Sequence, residues 1–101
     1  MKIRVMIDYE NNAEKWWDNG GRVLWDKYEY ARSNYDYLYL DEETAIQFMK
    51  EAEAIKGWND PDAPAYAPFP LLYRTDDGET VWLEDDKLMV SDHYDVKQLN
   101  K

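Results

Sequence analysis

One histidine, no cysteine and several runs of carboxylates are what this chain offers to chemistry. His93 lies in Ser91-Asp92-His93-Tyr94-Asp95, in a tail that reads as irregular or frayed from Asp92 onward. A base there is poorly held for proton transfer, so it reads as a surface histidine. Asp60-x-Asp62, Asp76-Asp77-Gly78-Glu79 and Glu84-Asp85-Asp86 present oxygens that suit Ca²⁺ or Mg²⁺, but none has the spacing of a calcium loop. Aspartate and glycine are also ordinary turn formers, and these runs read first as turns. A phosphate-cradling glycine loop, a nucleophile elbow and a zinc motif are all missing, and Gly20-Gly21 reads as a turn. The expectation is a protein without catalytic residues, metal or cofactor.

The charge points elsewhere. Acids outnumber bases 22 to 12 in 101 residues, a net charge of −10 that repels nucleic-acid phosphates and anionic membranes. The acids are clustered. Asp76 to Asp95 holds eight against Lys87 alone, and Asp36 to Asp62 holds eight against Lys50 and Lys56. Such charge can mark disorder, yet five Trp, nine Tyr and two Phe give this chain the means to fold. The length suits one domain spanning 1–101. Without cysteine, stability rests on packing, in keeping with the cytosol. The opening Met1-Lys2-Ile3-Arg4-Val5-Met6-Ile7 lacks the apolar core of a signal peptide, and no run approaches bilayer-spanning length.

Hydrophobic periodicity supplies the elements. Ile3, Val5, Ile7 and Tyr9 alternate with Lys2, Arg4, Met6 and Asp8 and predict an opening strand with the first set on its buried face. Residues 10–21 read as a long connection with at most one helical turn, centred on Asp18-Asn19-Gly20-Gly21. Residues 22–31 fit either period, and the reading adopted is a strand with a bulge. Tyr35, Tyr37 and Tyr39 alternate with Asp36, Leu38 and Leu40, predicting a strand over 34–40 with a tyrosine stripe, after a turn at Arg32-Ser33-Asn34. Asp41 suits a helix cap, Glu42 and Glu43 suit the first turn, and Ala45, Phe48, Met49, Ala52 and Ile55 line one face of a helix over 42–56 stopped by Gly57. All four prolines fall in 59–70, an extended surface loop. Asp77-Gly78 predicts a two-residue hairpin with Tyr73 facing Trp82 and Leu72 facing Leu83. Glu84-Asp85-Asp86 then turns the chain into a short strand at Leu88-Met89-Val90.

These elements predict an α+β fold: about five or six antiparallel strands with the 42–56 helix packed on one face. The function expected is binding to another protein. Acid clusters on a body of about 13 Å radius of gyration can imitate phosphate backbone and occupy a basic nucleic-acid groove. Tyrosine and tryptophan are favoured interface residues. Partner contacts are expected from Asp76, Asp77, Glu79, Glu84, Asp85 and Asp86, from Asp41, Glu42, Glu43 and Glu51, and from Tyr35, Tyr37 and Tyr39. In type, a small, cysteine-free, acidic, Tyr/Trp-rich domain resembles the inhibitors that phages and mobile elements use against restriction and CRISPR systems. That resemblance implies a lysine- and arginine-rich, nucleic-acid-binding defence protein as partner, and action in the bacterial cytoplasm. Two other readings stay open. One is an accessory subunit or homodimer joined through the tyrosine face, and the other a small divalent-metal module or enzyme built on the aspartate turns.

Overall fold

The computed structural model describes residues 1–91 and 96–99. Strand β1 (Lys2–Ile7) follows the predicted alternation, with Ile3 and Val5 fully buried. Around it lie β2 (Leu38–Asp41), β3 (Leu71–Arg74), β4 (Thr80–Glu84), β5 (Lys87–Ser91) and β6 (Val96–Gln98), in an antiparallel sheet of order β2-β1-β3-β4-β5-β6. The α+β architecture expected from the sequence is therefore the one observed. Residues 92–95, and His93 with them, lie outside the described residues, but 96–98 form a strand on β5 where an irregular tail was expected.

The stretch from 10 to 31 departs most from expectation. It is helical throughout its middle, with α1 (Glu14–Trp16) joined through a wide turn kinked at Gly20 to α2 (Arg22–Lys27). The expected strand over 22–31 is thus a helix followed by a single tight turn at Glu29–Ala31. Leu24, Trp25 and Tyr28 are buried while Val23 is exposed, so the helical spacing of the first three describes the packing. The alternation of Val23, Trp25 and Tyr30 is accidental: Tyr30, like Val23, faces solvent.

Trp16 anchors this layer. Its side chain is fully buried, and its indole N–H donates to the Ala52 carbonyl at 2.9 Å. Truncating such a residue costs about 3–5 kcal/mol. Gly21 lies so close beneath it that a Cβ there would sit 2.3 Å from the indole ring, so any side chain must displace the tryptophan.

Helix α3 (Glu42–Glu53) ends three residues short of the predicted 56, with a short turn leading to Gly57. Asp41 caps it as expected, accepting from the Thr44 amide at 2.8 Å. Ala45, Phe48, Met49 and Ala52 pack onto Ile3, Val5, Leu38, Leu40, Val81, Leu88 and Val90, so α3, α1 and α2 share one side of the sheet. The loop 59–70 crosses to β3, and Pro70 accepts from the Asp8 amide at 2.8 Å.

The β3–β4 turn corrects a second expectation. Thr75 N–H donates to Glu79 O at 3.0 Å and Gly78 N–H to Thr75 O at 2.9 Å, enclosing three residues, Asp76-Asp77-Gly78, rather than two. Gly78 takes φ +83°, the left-handed position such loops require. The register moves by one, Arg74 pairing with Thr80, which puts Tyr73 with Val81 on the core side and turns Trp82 to the other face. The two-residue turn is instead Asp85-Asp86, with φ +50° and +64° between the paired Glu84 and Lys87.

Candidate functional site

Strand alternation gives the sheet a second face, which no helix among the described residues covers. Lys2, Arg4 and Met6 of β1, Tyr39 of β2, Leu72 and Arg74 of β3, Trp82 of β4 and Met89 of β5 point there, and none of them belongs to the buried core. The tyrosine ladder runs along its β2 edge. The predicted strand over 34–40 begins only at Leu38, because residues 32–37 form a tight turn. Ser33 N–H donates to Tyr37 O at 2.8 Å, Tyr35 N–H to Ser33 Oγ at 3.1 Å, and Arg32 is paired with both Glu29 and Asp36. The rings still form one row. Tyr35 stacks on Tyr37 with centroids 6.1 Å apart, and Tyr37 meets Tyr39 edge-on at the same distance.

Cations from β1 lie over this row: Arg4 is 5.7 Å from the Tyr37 ring and Lys2 is 5.8 Å from that of Tyr39. Arg4 also donates through Nη2 to Thr75 O at 2.6 Å. The Tyr39 hydroxyl donates to the Asp76 carboxylate, 2.8 and 2.9 Å from its two oxygens. That hydrogen bond is the main reason the Tyr39 phenol is raised above its ordinary pKa, since the ionised form would lose it and face a carboxylate. The β3–β4 turn is thereby fastened across β1 to the tyrosine ladder.

The same end of the sheet carries the start of α3. Asp41 pairs with Lys2 in the β1–β2 register, and Glu42 and Glu43 follow in the first helical turn. The Asp41 carboxyl is held below its usual value by hydrogen bonds from Thr44. Of the residues expected to meet a partner, Asp41, Glu42, Glu43, Asp76, Asp77, Glu79, Tyr35, Tyr37 and Tyr39 are thus gathered at the ladder and one end of the sheet.

The others are elsewhere. Because β4 runs from that end to the opposite one, Glu84, Asp85 and Asp86 cap the far end, where Asp86 is 3.4 Å from Lys50 and Glu84 accepts from the Trp82 indole at 3.1 Å. Glu51 is engaged within the helical layer, accepting from the Tyr28 hydroxyl at 2.8 Å and Lys27 at 3.1 Å. The Tyr28 bond is the first cause of its lowered pKa, while burial and then Glu51 push the Tyr28 phenol up to about 12. Sequence reasoning did not identify the basic row Lys2, Arg4 and Arg74. Its only trace was the polar half of the β1 alternation.

Among the described residues no group of three or more His, Cys, Asp or Glu side chains is arranged to hold a metal. The Asp60 carboxylate is used locally, accepting from the Asp62 amide at 3.0 Å. No described helix is long and apolar enough to cross a membrane. No family model, curated protein or solved structure matches the chain.

Proposed function

We propose that this protein is a binding inhibitor of the phage anti-defence kind, which sets its acidic sheet end and the adjoining tyrosine ladder against a lysine- and arginine-rich nucleic-acid-binding surface. The observation that carries the reading is the Tyr39–Asp76 hydrogen bond, which makes the aromatic row and the acidic turn one continuous surface. Tyrosines held by stacking lose little entropy on binding, and carboxylates beside them supply the complementary charge. The work is done by occupation of a groove, with no bond made or broken, inside the bacterial cytoplasm where such a partner would act.

The test is capture from nuclease-treated bacterial lysate by the wild type, beside a variant with Asp76, Asp77 and Glu79 changed to Lys. The reading expects the wild type alone to retain a nucleic-acid-binding protein, and to lose it as salt rises to 0.5 M, because exposed charges are screened. Equal capture by both proteins would refute it.

A second reading has its own observation. Met6, Leu72, Trp82 and Met89 are half-buried on the face that no described helix covers. A subunit interface there, with another protein or a second copy, would be apolar and salt-resistant. Light scattering after chromatography at low and high salt separates the two readings.

A further inference from the structure

The sheet is laddered over several residues at every junction except one. Between β3 and β4 the paired residues are only Arg74 and Thr80, beside the turn. Beyond them lies a cleft of about 350 Å³, lined by β3, by Thr80, Val81 and Trp82 of β4, and from the helical side by Glu53, Trp58 and Phe69. That volume is near the lower end of small-ligand pockets, roughly 300–1,000 Å³.

Two polar groups here lack what burial normally demands. The Tyr73 hydroxyl is buried with no hydrogen-bond partner, in a residue only 5% exposed. On the wall of the same cleft, the Glu53 carboxyl is half-buried, and desolvation alone raises its pKa. After burial, the Glu53 charge is what pushes the Tyr73 phenol further up. The aromatic wall is rigid: Trp58 lies between Phe69 and Tyr73, stacked on the two at 5.4 and 6.0 Å. Arg74 is the one cation of the lining. It projects to the opposite sheet face from Tyr73, and its guanidinium is held on the Tyr73 carbonyl at 3.2 Å.

We infer that this cleft is a binding site for the side chain of a lysine on a protein partner. An ammonium complements the half-buried Glu53 carboxylate, whose two oxygens accept from two of its three donors while the third stays in water. The four-carbon stem fits the aromatic wall, as lysine stems commonly lie along apolar surface. The site goes beyond the acidic sheet end and stands whether or not that surface binds anything.

The experiment follows the indole N–H signals of Trp58 and Trp82 by NMR at neutral pH during titration with n-butylammonium, 1-butanol and N-acetyl-lysine methylamide. The site predicts saturable shifts with both ammonium compounds and on the order of tenfold weaker binding of butanol, which keeps the stem and loses the charge. Glu53→Gln should weaken ammonium binding by a similar factor, and Tyr73→Phe, which removes a hydroxyl sealed from the cleft, should leave it unchanged. Glu53→Gln keeps its shape and removes a desolvated charge, so it should melt no lower than the wild type at pH 7, and a loss of binding would not reflect unfolding. Butanol binding as tightly as butylammonium, an unchanged Glu53→Gln, or no saturation by N-acetyl-lysine methylamide would each overturn the inference.

Discussion

The two hairpin turns of the C-terminal half have nearly the same composition and opposite relations to the rest of the molecule. Asp76-Asp77-Gly78 is tied in, with Asp76 accepting from Tyr39 and Thr75 O accepting from Arg4. Among the described residues Asp85-Asp86 reaches only to Lys50, in an exposed pair, and it holds two non-glycine residues in left-handed conformations. Equal charge at two turns therefore differs in use. In the first it is held in place beside aromatic rings, and in the second it serves a tight reversal. Only a fixed arrangement of charge and ring can present a surface without ordering it at the moment of binding.

The sharpest way to break this contrast is charge reversal at each turn in turn. Changing Asp76, Asp77 and Glu79 to Lys should weaken partner binding by at least about tenfold, since like charges are then set against a basic surface. Changing Glu84, Asp85 and Asp86 to Lys should alter it by less than about threefold, mainly through on-rate. Surface plasmon resonance against the captured partner measures both. A larger loss from the second set would move the binding surface to the far end of the sheet.

The contrast was only partly legible in the sequence, because charge runs record composition and the fold decides position. The alternation of β1 and the capped, amphipathic α3 were plain, as was the meander of the three strands between residues 71 and 91. Asp77-Gly78 was read as the two-residue turn because that dipeptide favours it. Thr75 decided otherwise, closing a three-residue loop through its carbonyl and accepting from the Glu79 amide on its hydroxyl oxygen at 3.1 Å. Residues 22–31 were misread because aromatic spacing there satisfies both periods, and only burial against α3 selects the helix. Of the candidate site, the tyrosines and acids were visible as types. Their junction through Tyr39 and Asp76 joins residues 37 apart, which no local pattern reports.

Backbone conformation offers the next test. Replacing Asp85-Asp86 by Asn-Gly keeps both left-handed positions at lower steric cost and should stabilise the protein by about 1 kcal/mol. Loss of the exposed Lys50 contact offsets this by a few tenths of a kcal/mol. The expected rise in melting temperature is about 4 °C or more by calorimetry. An unchanged or lower value would mean that the aspartates contribute more at this turn than conformation explains.

Gly78→Ala examines the other turn from the opposite direction. Apart from its chain neighbours, no described atom lies within 4 Å of where the new Cβ would stand, so only the φ of +83° opposes it. A loss of about 1 kcal/mol follows, visible as a lower urea midpoint with an unchanged slope. If the slope fell as well, the β3–β4 junction would be opening on its own, as expected of strands paired only at Arg74 and Thr80.

The smallest effect is also the most local. The Tyr39 phenol is exposed enough that its bond to Asp76 should barely change the melting temperature, yet it should titrate above its ordinary value near 10. In the folded protein the phenol holds its proton more tightly than in the unfolded chain, so the contribution of this bond is complete at neutral pH and lost only as pH rises through the raised value. Asp76→Asn removes the charged acceptor and should return the titration toward the ordinary range, followed by the ring-carbon signals in NMR. Asp85→Asn should leave it where it was. Were Tyr39 to titrate identically in all three proteins, the turn and the ladder would not be joined in solution, and the acidic turn would be as free as its counterpart at Asp85-Asp86.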